Sequence, residues 1–308
     1  MHIVILSSHN GWQTDELCRA LQERGHTGCV LAYERLVARL GQGQGQLSSA
    51  RASVLEADAV LARIIPTGSL EQIIYRVDAL HWAEERGVPV INSPRAIERC
   101  VDKFYTTALL QEAGLPVPET VVCESAEDAL VALRTMGDAI VKPIFGSLGH
   151  GMVRVSDPDI ARRVVQPLEQ VSSVFYVQRT VDHGGRDIRV FVVGGRVVGA
   201  IERTAPDGEW RTNVSRGGFV RPFVLPSTWE RMALDATAAV GADYAGVDLL
   251  PSRGGQVFVV EINGIPGWKG LQQATGVDVA GAIVDHTVGR ARGSRVVSTP
   301  CIAMKLEA

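Results

Sequence analysis

The chain has 308 residues, of which 46% are apolar and 21% charged, so it can fill the cores of two or three globular domains. Its formal charge of -3 provides no general attraction to nucleic acid or anionic membranes, and neither is expected as a partner. No apolar run is long enough to span a bilayer, and the opening segment lacks the pattern of a secretory signal. Five scattered cysteines without CxxC spacing favour mostly buried, reduced thiols and a cytoplasmic location. A homo-oligomer remains open.

The first part of the chain alternates short apolar strands with helices, which predicts a small parallel α/β domain. Strands are predicted at 3–6, 29–32, 59–62 and 88–92, and helices at 13–24 and 69–86. The segment GQGQGQLSS at 41–49 is predicted to be a surface loop without packing potential. Ligands of such sheets gather at the carboxyl ends of the strands, so Arg63 and Asn92 are candidate substrate-binding residues. Ordinary loop polarity is the alternative.

The middle of the chain places a lysine on a strand just before a glycine-rich loop. Helices from 94 and from 103 precede a strand at 119–123, a helix at 126–136 and a strand at 139–143 that carries Lys142. Only Lys103, Lys142, Lys269 and Lys305 are lysines, so the other basic residues are arginine. An ammonium beside glycine N–H groups suits a polyphosphate, although neither a Walker A loop nor GxGxxG is present. A plain hairpin is the commoner interpretation of such a loop.

A strand is predicted at 175–181. After it, the glycine pair Gly194-Gly195 predicts a hairpin of strands 187–193 and 196–201. Asp187 and Arg189 then share one face because side chains alternate along a strand. The same count places Arg203 on the other face unless a bulge intervenes. A helix at 228–240 follows, and a last helix is predicted at about 278–290.

The run from 246 to 268 predicts a further hairpin closed at Gly254-Gly255. If that pair is the turn, Asp248 lies directly opposite Glu261, and Asn263 points to the same side. Like charges facing each other are destabilising unless something positive lies between them, and an all-oxygen set suits Mg²⁺. A solvated face on an edge hairpin is the alternative, and the hairpin alone does not decide between them.

Several runs of sequence together resemble the ATP-grasp superfamily, and within it the ribosomal-protein-S6-modification type of α-L-glutamate ligases. In the family's order and spacing they are DKFYT at 102–106, VKPIFGSLGHGM at 141–152, YVQR at 176–179, DIRVFVVGGRVV at 187–198, WRTNVSRGG at 210–218, AGVDLL at 245–250 and VEINGIPGW at 260–268. The text around Asn92–Leu115 looks most like the branch that acts on tetrahydromethanopterin-type pterins.

The resemblance implies α/β and α+β architecture: an ATP-grasp fold with an N-terminal parallel α/β (pre-ATP-grasp) domain and two α+β lobes that clamp ATP. The expected boundaries are 1–97 for the N-terminal domain, 98–178 for the central lobe, 179–295 for the C-terminal lobe with the Mg site, and 296–308 for a tail.

The resemblance also implies roles for individual residues. ATP is expected to be bound by Lys103 and Lys142 at the phosphates, Gly146, Ser147, Gly149 and Gly151 in a closing loop, Gln178, Arg179, Thr180 and Val181 at adenine, Asp187 at the ribose, and Arg211 and Asn213 near the phosphates. Asp248, Glu261 and Asn263 are expected to hold Mg²⁺, with two ions anticipated and Mn²⁺ as a substitute. Arg179 departs from the family, whose members usually have Glu at this position. If the position works through its main chain, little changes. If the carboxylate of the usual Glu is needed, the preference for adenine is in doubt.

The expected reaction is attack of a substrate carboxylate on the γ-phosphate, followed by displacement of the acylphosphate by an amine. Such chemistry needs positioning and charge neutralisation rather than a Ser or Cys nucleophile. Arg189 is the leading candidate to steady the reacting carboxylate, with Arg203 and Arg211 as further catalytic candidates. The resemblance implies addition of L-glutamate to an acceptor carboxylate, on a pterin cofactor or a peptide or protein C-terminus. A different ATP-grasp ligase (amino-group carrier protein or dipeptide type) and a non-catalytic nucleotide-binding protein are the alternatives.

Overall fold

The computed structural model of the protein describes residues 1–297 except 42, 44, 51, 147–150, 207–208, 210 and 213–217, and only the backbone of 294–297. The chain divides into two compact units: Met1–Pro94 together with Ala280–Ala308, and Arg95–Val279. The boundary between the two lobes at 178/179 stays a prediction.

The strands, numbered in chain order, are β1 (His2–Ser7), β2 (Thr27–Ala32), β3 (Leu36–Arg39), β4 (Gln46–Ser49), β5 (Ala52–Ser53), β6 (Ala59–Ala62), β7 (Val90–Ile91), β8 (Thr120–Cys123), β9 (Ala139–Lys142), β10 (Val153–Val155), β11 (Phe175–Arg179), β12 (Arg186–Val193), β13 (Arg196–Thr204), β14 (Phe219–Pro222), β15 (Tyr244–Pro251) and β16 (Val257–Asn263). The helices are α1 (Trp12–Glu23), α2 (Leu70–Glu85), α3 (Pro94–Val101), α4 (Lys103–Glu112), α5 (Ala126–Met136), α6 (Pro158–Gln170), α7 (Ser227–Val240), α8 (Lys269–Thr275) and α9 (Val279–Val297).

A parallel sheet forms the centre of the first unit, in the order β2-β1-β6-β7. Every residue from Ile3 to Leu6 and from Ala59 to Ala62 is buried, as expected for strands of a parallel sheet covered on both faces. The predicted parallel α/β domain is confirmed.

The prediction of a loop at 41–49 is wrong for its last four residues, which form β4. This strand pairs antiparallel with β3, and Leu47 is 1% exposed. The hydroxyl of Ser49 donates to the carbonyl of Ala32 at 3.0 Å. Leu47 between polar neighbours is a short alternating pattern that the adjoining glycines obscured. Gln42 and Gln44 of this segment lie outside the described residues.

The expectation of mostly buried cysteines is wrong for the four that the structure describes. Cys18, Cys29, Cys100 and Cys123 carry free thiols and are all partly exposed. Burial nevertheless raises the pKa of the Cys100 thiol to about 12, so this group stays protonated at neutral pH.

The central part of the second unit contains an antiparallel sheet in the order β10-β9-β11-β8. Helices α5 and α6 pack on it through buried residues such as Leu133 and Val165, which join Val141 and Val177 in one core. Strands β9 and β10 form a hairpin, so the glycine-rich segment is the loop that connects them.

A five-stranded antiparallel sheet, β14-β13-β12-β15-β16, forms the rest of the second unit. On β12, Ile188 and Val190 are fully buried in the core with Ala233 and Ala236 of α7. Because side chains alternate, the intervening polar residues of β12 are directed to the opposite face of the sheet. That face carries the candidate site.

Candidate active site

A cleft in the second unit gathers most of the residues that the sequence predicts for nucleotide and metal binding. Its lining includes Lys103, Lys142, Gln178, Arg179, Thr180, Val181, Asp187, Arg203, Arg211, Asp248 and Glu261. Four other predicted site residues have a described placement but do not line the cleft: Gly146, Gly151, Arg189 and Asn263. Ser147, Gly149 and Asn213 lie outside the described residues.

Two lysines enter the cleft from different elements. Lys142 ends β9 and pairs with Tyr176 of β11, and its ammonium donates to Oε1 of Gln178 at 2.6 Å. Lys103 begins α4 behind its N-cap Asp102, whose carboxylate accepts from a backbone N–H of the first turn. The Lys103 ammonium donates to the carbonyl of Gly146 at 2.9 Å, at the start of the glycine-rich loop.

The charges of the cleft act on one another. Burial lowers the pKa of Lys142 from 10.5 to about 8, against the attraction of Glu261, and the charge of Lys103 lowers it as well. Burial also lowers the pKa of Lys103, while Glu261 and Asp102 act in the opposite direction. An anion entering the cleft would therefore meet two ammonium groups that share one nearby carboxylate.

The predicted opposition of Asp248 and Glu261 is confirmed on β15 and β16. The route to it differs from the prediction, since Leu249 pairs with Val259, one residue out of the register that a two-residue turn gives. An irregularity between Asp248 and Leu249 then restores the expected pairing. Asn263 pairs with Gly246.

Arg203 enters the cleft because β13 contains the irregularity that the sequence left open. The turn at Gly194-Gly195 pairs Val193 with Arg196 as predicted, but the register shifts between Phe191 and Val192. Arg203 consequently lies opposite Asp187 rather than on the other face.

An arginine–aspartate network joins Asp187, Arg203 and Asp248 of the cleft lining to Arg189. Arg203 donates to both carboxylate oxygens of Asp187, at 2.6 and 2.8 Å, and its Nη2 lies 3.0 Å from Oδ2 of Asp248. Arg189 also binds both oxygens of Asp248, with Nη2 2.6 Å from Oδ2. Thr212 donates its hydroxyl proton to Asp187.

The network fixes the charge state of Asp248. Burial favours the neutral acid, but Arg189 and Arg203 outweigh it and lower the pKa of Asp248 below its ordinary value of 3.8. Burial alone would lower the pKa of Arg203, but Asp248 and Asp187 outweigh it and raise this pKa. Asp248 is therefore a carboxylate at neutral pH, available to any cation that replaces an arginine.

The predicted metal set consists of two carboxylates and an amide. Among residues whose placement is described, no group of three or more His, Cys, Asp or Glu side chains could hold a metal, and the predicted set contains only two acids. The amide oxygen of Asn263 accepts the N–H of Ile265 at 2.9 Å. The all-oxygen donors of Asp248 and Glu261 have the chemistry that Mg²⁺ prefers.

The residues predicted to meet adenine form the end of β11 and the segment after it. The guanidinium of Arg179 donates to Glu119 at 2.7 Å and to the carbonyl of Met136 at 2.8 Å. The backbone N–H of Thr180 donates to the carbonyl of Asp138 at 3.0 Å. The Arg179 side chain is thus held by the protein itself.

Arg211 forms a bidentate pair with Glu209, with its Nη2 2.8 Å from Oε2, and about a fifth of each side chain is exposed. Its neighbour Thr212 binds Asp187 instead. His183 and Thr212 line the cleft, yet neither they nor Glu209 were predicted as site residues from the sequence. The apolar run before Gly194-Gly195 identified β12, but nothing in the sequence marks the contact of Asp187 with Thr212.

The first unit contains the two candidate substrate-binding residues, Arg63 and Asn92. Arg63 directly follows β6 and Asn92 directly follows β7, so both lie at the carboxyl edge of the parallel sheet. They are 2% and 0% exposed. The hydroxyl of Tyr33 approaches the carbonyl of Arg63 at 3.4 Å.

Comparisons with known proteins identify the family. The model for the RimK PreATP-grasp domain matches residues 1–97, and the model for the RimK-like ATP-grasp domain matches residues 100–287. The chain belongs to the RimK-like ATP-grasp family. This RimK-like chain is 32% identical over 314 residues to the tetrahydromethanopterin:alpha-L-glutamate ligase of Methanosarcina acetivorans, covering 92% of this chain and 97% of the relative. It is 33% identical over 289 residues to a probable alpha-L-glutamate ligase of Trichodesmium erythraeum, covering 92% and 95%.

A solved structure shares the fold. It is the ATP-grasp ligase PsnB complexed with a phosphomimetic variant of its minimal precursor, Mg and ADP, with a TM-score of 0.76, 21% identity, and coverage of 94% of this chain and 98% of PsnB. The predicted ATP-grasp fold and enzyme class are confirmed: the RimK-like chain is an ATP-dependent ligase. In the described part of the chain, no helix combines the length and the hydropathy that a membrane span requires.

Proposed function

We propose that this RimK-like ligase uses Mg²⁺ and ATP to join L-glutamate to an acceptor carboxylate through an acylphosphate. The observation that carries the proposal is the meeting of Lys103, Lys142, Asp248 and Glu261 in one cleft. A pterin-type acceptor has the stronger support, because the Methanosarcina relative is named for one. A peptide or protein C-terminus is the alternative acceptor.

The two lysines are proposed to hold the phosphates of ATP. Burial keeps both ammonium groups poorly solvated, which strengthens their attraction to a polyanion. The contact of Lys103 with the carbonyl of Gly146 connects this charge to the loop proposed to cover the phosphates. Left-handed backbone at Gly151, with φ +73°, is readily accessible to glycine and allows a tight return of that loop to β10.

Adenine is proposed to contact the main chain from Gln178 to Val181. Since the Arg179 guanidinium is bound to Glu119 and Met136, this position contributes main-chain groups rather than its side chain. The replacement of the family's usual Glu by Arg is then compatible with adenine.

Asp248 and Glu261 are proposed to hold Mg²⁺, with Asn263 joining them once its amide oxygen leaves the N–H of Ile265. When bound, the ion would neutralise the phosphate oxygens and act as a Lewis acid. Asp248 would exchange an arginine contact for the ion, because its oxygens now accept from Arg189 and Arg203. One or both guanidinium groups would then be available to a substrate carboxylate.

In the proposed reaction an oxygen of the acceptor carboxylate attacks the γ-phosphorus of ATP, and ADP leaves. The amine nitrogen of glutamate then attacks the acyl carbon, phosphate leaves, and the nitrogen gives up a proton. Arg189, Arg203 and Arg211 would hold and neutralise the carboxylate and the acylphosphate. A closed loop would exclude water, which otherwise hydrolyses the acylphosphate.

The test is ADP release with Mg²⁺ and L-glutamate across a panel of pterin carboxylates and peptides, with the products examined by mass spectrometry. The proposal predicts ADP formation that requires both glutamate and one acceptor class, with a glutamyl amide as product. Turnover with a different amine would favour another ATP-grasp ligase, and binding of ATP without amide formation for any pair would favour a non-catalytic nucleotide-binding protein.

The intermediate has its own test. With the accepted acceptor but without glutamate, hydroxylamine should intercept the acylphosphate and yield a hydroxamate together with ADP. Amide formation without hydroxamate, accompanied by release of AMP, would contradict phosphoryl transfer to the carboxylate.

A further inference from the structure

His183 lies in the turn between β11 and β12 and lines the cleft, yet the reaction proposed above gives it no task. The turn is held from both sides. The backbone N–H of Arg253 donates to the carbonyl of Asp182 at 2.8 Å, and that of Ala205 donates to the carbonyl of Gly185 at 2.8 Å. The imidazole is thus presented by an anchored turn rather than by a free loop.

The contacts of the ring define which nitrogen can accept a hydrogen bond. Nδ1 of His183 lies 3.1 Å from the carbonyl oxygen of Arg186. A carbonyl only accepts, so Nδ1 carries the proton and Nε2 of the neutral ring is an acceptor. Burial lowers the pKa of His183, and the charge of Arg154 lowers it further. The Arg186 carbonyl, Asp187 and Asp182 act in the opposite direction but do not outweigh burial. The neutral ring is therefore favoured at neutral pH.

The residue that the family resemblance assigns to the ribose is already engaged. Both carboxylate oxygens of Asp187 accept from Arg203, and one of them also accepts from Thr212. Asp187 is 6% exposed. A ribose hydroxyl would have to displace these contacts to reach Asp187. His183 lines the same cleft, and the charge of Asp187 acts on the pKa of its ring.

We infer that His183 recognises the ribose, accepting a hydrogen bond from a ribose hydroxyl through Nε2, and so makes the enzyme prefer ribonucleotides over deoxyribonucleotides. The inference rests on the proposal that this cleft is the nucleotide site. A hydroxyl needs an acceptor once it leaves water, and a neutral imidazole supplies one without adding charge beside the phosphates.

The experiment measures the affinity of the full-length protein for ADP, 2′-deoxy-ADP and 3′-deoxy-ADP by titration calorimetry, which requires no turnover. Wild type should bind at least one deoxy analogue about two- to tenfold more weakly than ADP, the range of one hydrogen bond. His183→Leu should bind ADP as weakly as that analogue. His183→Gln, which can place an amide oxygen near the position of Nε2, should recover part of the preference.

His26→Leu in the first unit is the matched control and should keep the wild-type ratio. A wild-type ratio of one, or an unchanged ratio in His183→Leu, would overturn the role of His183 while leaving the nucleotide site in place. Failure of wild type to bind ADP at all would instead overturn the site itself. Thermal unfolding of each variant with and without ADP checks that the ratios come from folded protein.

Discussion

The buried lysine of β9 predicts an unusual pH dependence of nucleotide binding. With a pKa of about 8, Lys142 is about nine-tenths charged near pH 7 and only about one-tenth charged near pH 9. The phosphates favour the ammonium, so binding raises this pKa and takes up a proton in the range above about 8. The affinity of the wild-type protein for ADP should therefore fall about tenfold between about pH 7 and pH 9.

Calorimetry in two buffers of different ionisation enthalpy measures both the affinity and the proton uptake. Lys142→Arg keeps its charge throughout this range, so its affinity should be nearly independent of pH. Lys142→Gln should bind weakly at every pH. An ADP affinity of the wild type that stays constant from about pH 7 to pH 9, with no proton uptake, would refute the proposed contact between Lys142 and phosphate.

Three further predictions concern the metal hairpin, the arginine network and the small sheet. Glu261→Gln should melt at the same temperature as wild type, but its Mg²⁺-dependent ADP formation should fall at least about tenfold. The control Glu127→Gln, at an exposed position, should keep the wild-type rate. Equal rates in the two variants would remove Glu261 from the metal site. Arg203→Met leaves two buried carboxylates poorly compensated and should lower the free energy of unfolding in urea by about 3–5 kcal/mol; unchanged stability would contradict the network. Leu47→Ala should cost about 2 kcal/mol or more and the exposed Leu40→Ala about 0.5 or less; similar small losses at both positions would contradict the packing of β4.

Much of the framework could be predicted because the strands that carry the site are strongly apolar and end at glycine turns. The β12–β13 turn and the opposition of Asp248 and Glu261 follow from pairs of glycines and the two-residue period of a strand. The irregularities in both hairpins could not be predicted, because a bulge adds one residue without changing the apolar pattern around it. One such bulge brings Arg203 into the cleft, and the other compensates for a turn that differs from the predicted one.

Two helices of the second unit, α6 and α8, were not predicted from the sequence. The start of α6 carries a local signal, Asp157 as N-cap followed by Pro158, but Pro167 inside the helix obscures its pattern. Helix α8 has only seven residues, too few for a period to emerge. The contacts of Asp187 with Arg203 and Thr212 depend on tertiary packing, so the family resemblance that assigned Asp187 to the ribose gave no sign of them.

The most direct test of the proposed active site is a crystal structure of the protein with Mg²⁺ and a non-hydrolysable ATP analogue. The proposal predicts Mg–oxygen distances of about 2.0–2.1 Å to both Asp248 and Glu261, with the ammonium groups of Lys103 and Lys142 in hydrogen-bond contact with phosphate oxygens. A nucleotide bound in another place, or Asp248 still bound by both arginines while the ion sits elsewhere, would contradict it.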